Sequence, residues 1–205
     1  MKKHALIWLG CLGLVFFVVG CGGGGADDAA ADVDTADVDA ADVDDAVAGA
    51  IGNEGEALAV ATIEPKNDSG VTGTASFTVV GEQVVLTLSI ENATPGEHAF
   101  HLHAVGDCSA PDGTSAGGHW NPSEHDHGQW GGQVFHLGDV GNLVVGDDGT
   151  ATLTVGTNLW SVGTGDDNDV VGRAVIVHEG ADDFTTQPTG AAGARIGCGV
   201  IQQAQ

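Results

Sequence analysis

Residues 54–205 predict an all-β domain, an antiparallel barrel or sandwich of eight strands. Three observations carry that expectation. Apolar residues recur with a period of two, no stretch repeats at the helical period, and 34 glycines in 205 residues supply turns at more than twice the ~7% average. The first strand is Leu58 to Ile63. In the second, Val71, Gly73, Ala75, Phe77 and Val79 alternate with Thr72, Thr74, Ser76 and Thr78, so one face is apolar and the other carries hydroxyls. Val84, Leu86, Leu88 and Ile90 repeat the pattern, and Ala99 to Ala104 is the fourth strand. Leu143 to Gly146 and Ala151 to Val155 flank Gly146-Asp147-Asp148-Gly149, which signals a hairpin turn. Val170 to His178 and Ile196 to Ile201 complete the set. Val105 to Asp139 has no strand pattern, and a loop of that length in a compact domain is as a rule functional or cross-linked.

The charge balance excludes one class of partner. With 29 Asp and Glu against 5 Lys and Arg, the chain carries −24 at pH 7. Its cations are Lys2, Lys3, Lys66, Arg173 and Arg195, too few and too scattered for a phosphate-binding face, so no nucleic acid is expected. Two segments precede the β domain. Residues 1–20 have the form of a secretory signal, with Lys2 and Lys3 ahead of the uncharged run Ala5 to Gly20. That run is shorter than the ~20 apolar residues of a spanning helix. Its end, Val18-Val19-Gly20-Cys21, resembles the lipobox of bacterial lipoproteins, which implies cleavage before Cys21 and lipidation of its thiol. Several acyl chains on one residue exceed the two-signal threshold for stable anchoring, so the membrane would be a partner through Cys21. Residues 21–53 then read as an acidic Ala/Asp/Val linker, with Ala-Asp-Val-Asp at 31–34, 36–39 and 41–44. Valines five apart make neither a helical stripe nor a strand face, and a segment so acidic and poor in apolar side chains is expected to be a disordered spacer.

Most of the histidines crowd between His101 and His136. In Phe100-His101-Leu102-His103 the strand period sends Phe100 and Leu102 to one face and both imidazoles to the other, where they can reach one metal. Such a pair alone sits more often on a solvated face. The longer pattern is more specific: GEHAFHLHAVGDC (96–108), GGHWNP (117–122), His127, HLGD (136–139), GRAVIVHEGADD (172–183) and GARIGCGVI (193–201). In the order and spacing of these motifs, residues 57–205 resemble the copper-zinc superoxide dismutases.

The resemblance implies a Greek-key barrel with two long functional loops, copper and zinc as cofactors, and superoxide as substrate. It matches His101, His103, His119 and His178 to copper ligands, and His119, His127, His136 and Asp139 to zinc ligands, with His119 bridging. Imidazole suits copper, and three histidines with a carboxylate give zinc a closed tetrahedral set. Asp182 matches the carboxylate that joins a copper-bound ring, His101, to a zinc-bound one, His127. Arg195 matches the arginine beside the copper, a fixed cation for a small anion, and Thr189 the threonine that narrows its channel. The implied catalytic residues are Arg195 and His119: one superoxide gives up an electron, and a second takes it back with a proton from His119. His98 matches a structural histidine, His125 reads as a solvated loop residue, and Trp120 and Trp130 read as apolar cover for the metal loop.

Cys11 and Cys21 belong to the signal and the lipid site. Cys108 and Cys198 remain, an even count that suits a disulfide in an oxidising compartment, the alternative being two buried thiols. A different reading of the whole is a copper- and zinc-holding envelope lipoprotein without turnover, against which Arg195 argues, since storage gains nothing from a cation beside copper. The expected location is the cell envelope, periplasmic or surface-exposed, with the outer membrane favoured by Gly22 after Cys21. Oligomeric state is open, a homodimer being one option.

Overall fold

A computed structural model describes residues 55–205. The signal segment, Cys21 and the acidic repeats lie outside the described residues. Nine antiparallel strands form: β1 (Ala59–Pro65), β2 (Thr72–Val80), β3 (Gln83–Glu91), β4 (Gly96–His103), β5 (Gly141–Val145), β6 (Ala151–Thr157), β7 (Ala174–His178), β8 (Arg195–Val200) and the two-residue β9 (Gln202–Gln203). Hydrogen-bonded neighbours run β5-β4-β7-β8-β1-β2-β3-β6, with β9 on β1. The end strands β5 and β6 touch without a ladder, so the barrel is nearly closed. The one helical element among the described residues is a 3-10 turn at Thr114–Ala116.

Alternation builds the core. Val84, Leu86, Leu88 and Ile90 are all buried on one face of β3, facing Phe77 and Ala75 of β2. Each such side chain contributes roughly 1.5–3 kcal/mol by leaving water. On β4 and β7 the two faces part company. Phe100, Leu102, Val175 and Val177 enter this core, while Ala174 and Ile176 turn to the opposite side, against Ala116, Cys198 and Cys108. That opposite side of the sheet also carries the histidines.

Two expectations about the strands need correcting. The turn at Gly146–Gly149 forms, with the Gly149 N–H donating to the Gly146 carbonyl at 2.9 Å, but the strands it joins do not pair as a hairpin. β6 instead takes a seven-residue ladder on β3, and β5 pairs with β4, so the turn crosses between the two ends of the strand order. Val170 to Arg173 is not strand either. The Asp169 carboxylate accepts backbone N–H groups from Gly163, Gly165 and Val171, and Gly172 has φ +82°, so the chain stays in a turn until Ala174. Gln202–Gln203, as a ninth strand, has no counterpart in the alternation pattern.

Candidate metal centre

The site is assembled on β4, β7 and β8 and roofed by the two long loops. His101 and His103 leave β4 on the side away from Phe100 and Leu102. His178 ends β7, and its cross-strand partner is Arg195, the first residue of β8. The β4–β5 loop returns to lay His119 beside His103: the Trp120 N–H donates to the Leu102 carbonyl at 2.8 Å and the Leu102 N–H to the Gly138 carbonyl at 2.9 Å. Only glycine fits at 138, since a Cβ there would stand 2.1 Å from the Leu102 oxygen. Gly138 in turn sets Asp139, whose Oδ2 accepts the backbone N–H groups of His136 and Gly128 at 2.8 and 3.1 Å.

Two groups of ligand atoms result, and His119 belongs to both. One atom from each of His101, His103, His119 and His178 lies within 4.8 Å of the others, as does one from each of His119, His127, His136 and Asp139. All seven residues are buried. What makes these groups metal-like is where their hydrogen bonds go. His101 Nε2 is engaged by Asp182 Oδ2 at 2.9 Å, His103 Nδ1 by the Gly117 carbonyl at 2.9 Å, His127 Nε2 by Asp182 Oδ1 at 2.9 Å, and His136 Nε2 by the His125 carbonyl at 3.0 Å. An acceptor on one ring nitrogen places the proton there and leaves the other nitrogen's lone pair free. On the copper side His101 Nδ1, His103 Nε2, His119 Nε2 and His178 Nε2 are buried with no hydrogen-bond partner. Four orphaned imidazole nitrogens facing one point suit copper. In the second group His119, His127 and His136 each bring Nδ1 within 2.7–3.0 Å of an Asp139 oxygen, a compact three-nitrogen, one-oxygen set that suits tetrahedral zinc.

The loop between β4 and His119 is fastened from three sides. Arg195 donates from Nη1 to the Gly113 carbonyl at 2.6 Å and from Nη2 to the Gly117 carbonyl at 2.7 Å, the latter also accepting from His103. Lys66 donates to the Cys108 carbonyl at 2.6 Å and Arg173 to the Ala104 carbonyl at 3.0 Å. A Cys108–Cys198 disulfide, Cα–Cα 5.8 Å, ties the same loop to β8. Every cation among the described residues therefore holds this one segment.

The profile of the copper/zinc superoxide dismutase (SODC) family matches residues 71–201. The chain belongs to the copper/zinc superoxide dismutase family. Superoxide dismutase [Cu-Zn] 2 of Brassica juncea is 39% identical over 142 residues, 66% of this chain and 91% of its own length. The crystal structure of the clock protein EA4 superposes with a TM-score of 0.64 at 33% identity, covering 72% of this chain and 95% of that one. As a superoxide dismutase the protein is an oxidoreductase with copper and zinc as its metals.

In this dismutase burial keeps His103, His119 and His178 neutral. Desolvation, reinforced by neighbouring rings, lowers His119 to about 4 and His178 to about 3, and His103 also falls well below its ordinary value. Burial works the other way on the carboxylates, yet the His119 ring and the N–H groups of His136 and Gly128 hold Asp139 well below its usual range. His127 is opposed by burial but raised overall by Asp182 and Asp139. Burial also lowers Arg195, against the pull of Asp112.

The remaining candidates fall into place around this centre. His98 is buried between the Thr94 and His178 carbonyls, each 2.8 Å from a ring nitrogen. His125 is exposed, and its backbone rather than its ring serves the site. Trp120 is a core residue, and Trp130 packs against Trp160 with ring centroids 5.1 Å apart and the planes tilted by 48°. Thr189 is half-buried in the turn leading to Gly190. Three residues went unnoticed in the sequence. Asn142 pairs with both backbone groups of Asp182, at 2.7 and 2.9 Å; Gln187 pairs with both backbone groups of His127; and Lys66 reaches Cys108. A polar side chain carries no local mark of a distant backbone partner, so nothing in their neighbourhoods could have singled them out.

Proposed function

We propose that residues 54–205 dismute superoxide at a copper centre of His101, His103, His119 and His178, joined through His119 to a structural zinc centre of His119, His127, His136 and Asp139. The observation that carries this reading is the membership of His119 in both groups, its Nε2 unpartnered among the copper-side nitrogens and its Nδ1 2.7 Å from Asp139. Bound copper supplies one-electron redox chemistry, which zinc cannot. The chain's own residues do the rest. Two superoxide ions and two protons become one dioxygen and one hydrogen peroxide. Arg195, held rigidly by Gly113 and Gly117 beside His178, receives the anion. Thr189 narrows its approach. His119 holds a proton at Nε2 and releases it to the superoxide that becomes peroxide. Asp182, bonded to His101 and His127 at 2.9 Å each, keeps a ring of each group in register.

Protein loaded with copper and zinc is expected to dismute superoxide far faster than free copper, and His119→Ala to lose most of that activity. Near-normal turnover by the variant would overturn the bridging role. Wild-type activity no better than free copper would favour metal holding without turnover.

The chain's N-terminal part supports an envelope location through the lipobox-like Val18-Val19-Gly20-Cys21 and the acidic spacer that follows it. In this reading Cys21 is the lipidated anchor, on the periplasmic side or cell surface and on the outer membrane by preference. Cys21→Ser is expected to move the protein into the soluble fraction, and unchanged partitioning would refute the anchor.

A further inference from the structure

His127 is the member of the zinc set that residues 182–190 hold by hydrogen bonds. Residues 122–126 before it are exposed, and among the described residues no backbone group pairs with its N–H or its carbonyl. Both are met by one side chain. The His127 N–H donates to Gln187 Oε1 at 2.9 Å and Gln187 Nε2 donates to the His127 carbonyl at 2.9 Å, across a separation of 60 residues. A carboxamide set against both backbone groups of one residue satisfies one donor and one acceptor at once and holds the two peptide units that flank it.

Gln187 is itself braced. Asp183 accepts the N–H groups of Thr185 and Thr186 at 2.9 and 2.8 Å and the Thr186 hydroxyl at 2.5 Å. The Gly190 N–H donates to the Thr186 carbonyl at 2.7 Å, and the Asp183 N–H to the Gly190 carbonyl at 2.9 Å. Residues 183–190 are therefore a self-bonded turn from which Gln187 reaches across to the other loop. The same turn follows Asp182, whose Oδ1 holds the His127 ring at 2.9 Å. His127 is thus gripped at backbone and ring by one short segment, while the far side of its ring, Nδ1, faces Asp139 at 3.0 Å.

We propose that Gln187 is a positioning residue for the zinc set, holding the His127 backbone so that the ring keeps Nδ1 turned to the zinc. The inference rests on the zinc reading given above. Zinc fixes the His127 ring from Nδ1, and a fixed His127 presents its backbone to Gln187. Loss of a partner that orients a metal ligand costs about 10–100-fold in affinity, which sets the expected size.

Three measurements on the full chain test this, with zinc as the probe in Gln187→Ala and Gln187→Glu. Competition against a chromogenic chelator should show zinc affinity falling ~10–100-fold in Gln187→Ala. Gln187→Glu, which keeps the acceptor for the His127 N–H and loses the donor to its carbonyl, should fall in between. Cobalt(II) placed in the zinc set should give a shifted visible spectrum in Gln187→Ala, as a rotated His127 requires. Amide hydrogen exchange should show zinc protecting residues 182–190 in wild type and failing to do so in Gln187→Ala. Zinc affinity within two-fold of wild type, with the same cobalt spectrum and the same zinc-induced protection, would overturn the role of Gln187 and leave the zinc reading standing. Failure of wild type itself to take up zinc would overturn both.

Discussion

Gly190→Ala puts a methyl group where the structure has no room for one. A Cβ at this position would stand 1.8 Å from Asp182 Oδ1 and 2.7 Å from His127 Nε2, against the 3.0 Å below which real Cβ contacts essentially never fall. Something must retreat by more than an ångström. The Asp182 carboxylate cannot do so cheaply, because it is buried and bonded to His101, His127 and the Phe184 N–H at 2.9, 2.9 and 2.7 Å. Hydrogen bonds to a charged group are worth about 1.5–3 kcal/mol each, so losing one or two is the larger part of the cost. Gly190 also has φ +68°, a left-handed conformation that costs a non-glycine residue roughly 1–2 kcal/mol. Together the two effects come to about 3–5 kcal/mol, which for a domain of this size lowers the melting temperature by roughly 6–20 °C. Gly70→Ala is the control. Gly70 has φ +79° with nothing within 4 Å of the added methyl, so it carries the backbone cost alone. Thermal and urea unfolding of both variants, in the metal-loaded protein, separates collision from strain. Equal destabilisation in the two would refute the claim that Gly190 is required by the Asp182–His127 contact.

Metal-free protein should lose stability as pH falls from ~6.5 towards 4. His119 and His178 have folded values of about 4 and 3, below those of the unfolded chain, so the unfolded state takes up protons that the folded state refuses. His127, shifted upward, opposes this only in part. Urea midpoints measured across that range would check the sign, and a flat profile would contradict it. Replacing Cys108 and Cys198 together with serine opens a link across 90 residues and should cost about 4–5 kcal/mol, read from denaturant unfolding under non-reducing conditions. The rate constant for superoxide should stay flat or rise between low and physiological ionic strength. Residues 54–205 carry three cations against twenty carboxylates, and the cations are turned to loop carbonyls, so screening removes repulsion first. Pulse radiolysis over a salt series would detect the steep fall that contradicts this.

The strands were legible wherever a single face is apolar. Val84, Leu86, Leu88 and Ile90 needed nothing but the period of two, and all four are buried as that period requires. Val170 and Val171 look equally strand-like, yet they are governed by Asp169, whose carboxylate gathers backbone groups on both sides of it. A local pattern cannot carry that information. The β5–β6 turn shows the same limit at the level of topology: its residues were correct, but which strand each partner prefers depends on ladders formed with β3 and β4. In the site, the histidines and carboxylates stood out because few other residue types do metal chemistry. Gln187 and Lys66 did not, since what each meets is a backbone group 60 or 42 residues away, and backbone groups look alike in every sequence.

The inward engagement of Lys66, Arg173 and Arg195 has a consequence outside catalysis. A protease of trypsin-like specificity must seat a lysine or arginine side chain in its own pocket before it can cut, and these are the only three such side chains among the described residues. Lys66 is 9% exposed, and each charged head already donates to a carbonyl of the Ala104–Gly117 segment. Cleavage at any of the three therefore requires that loop to come undone first. The folded domain should be opaque to such enzymes, and to amine-reactive reagents that look for lysine, for as long as its cations remain fasteners.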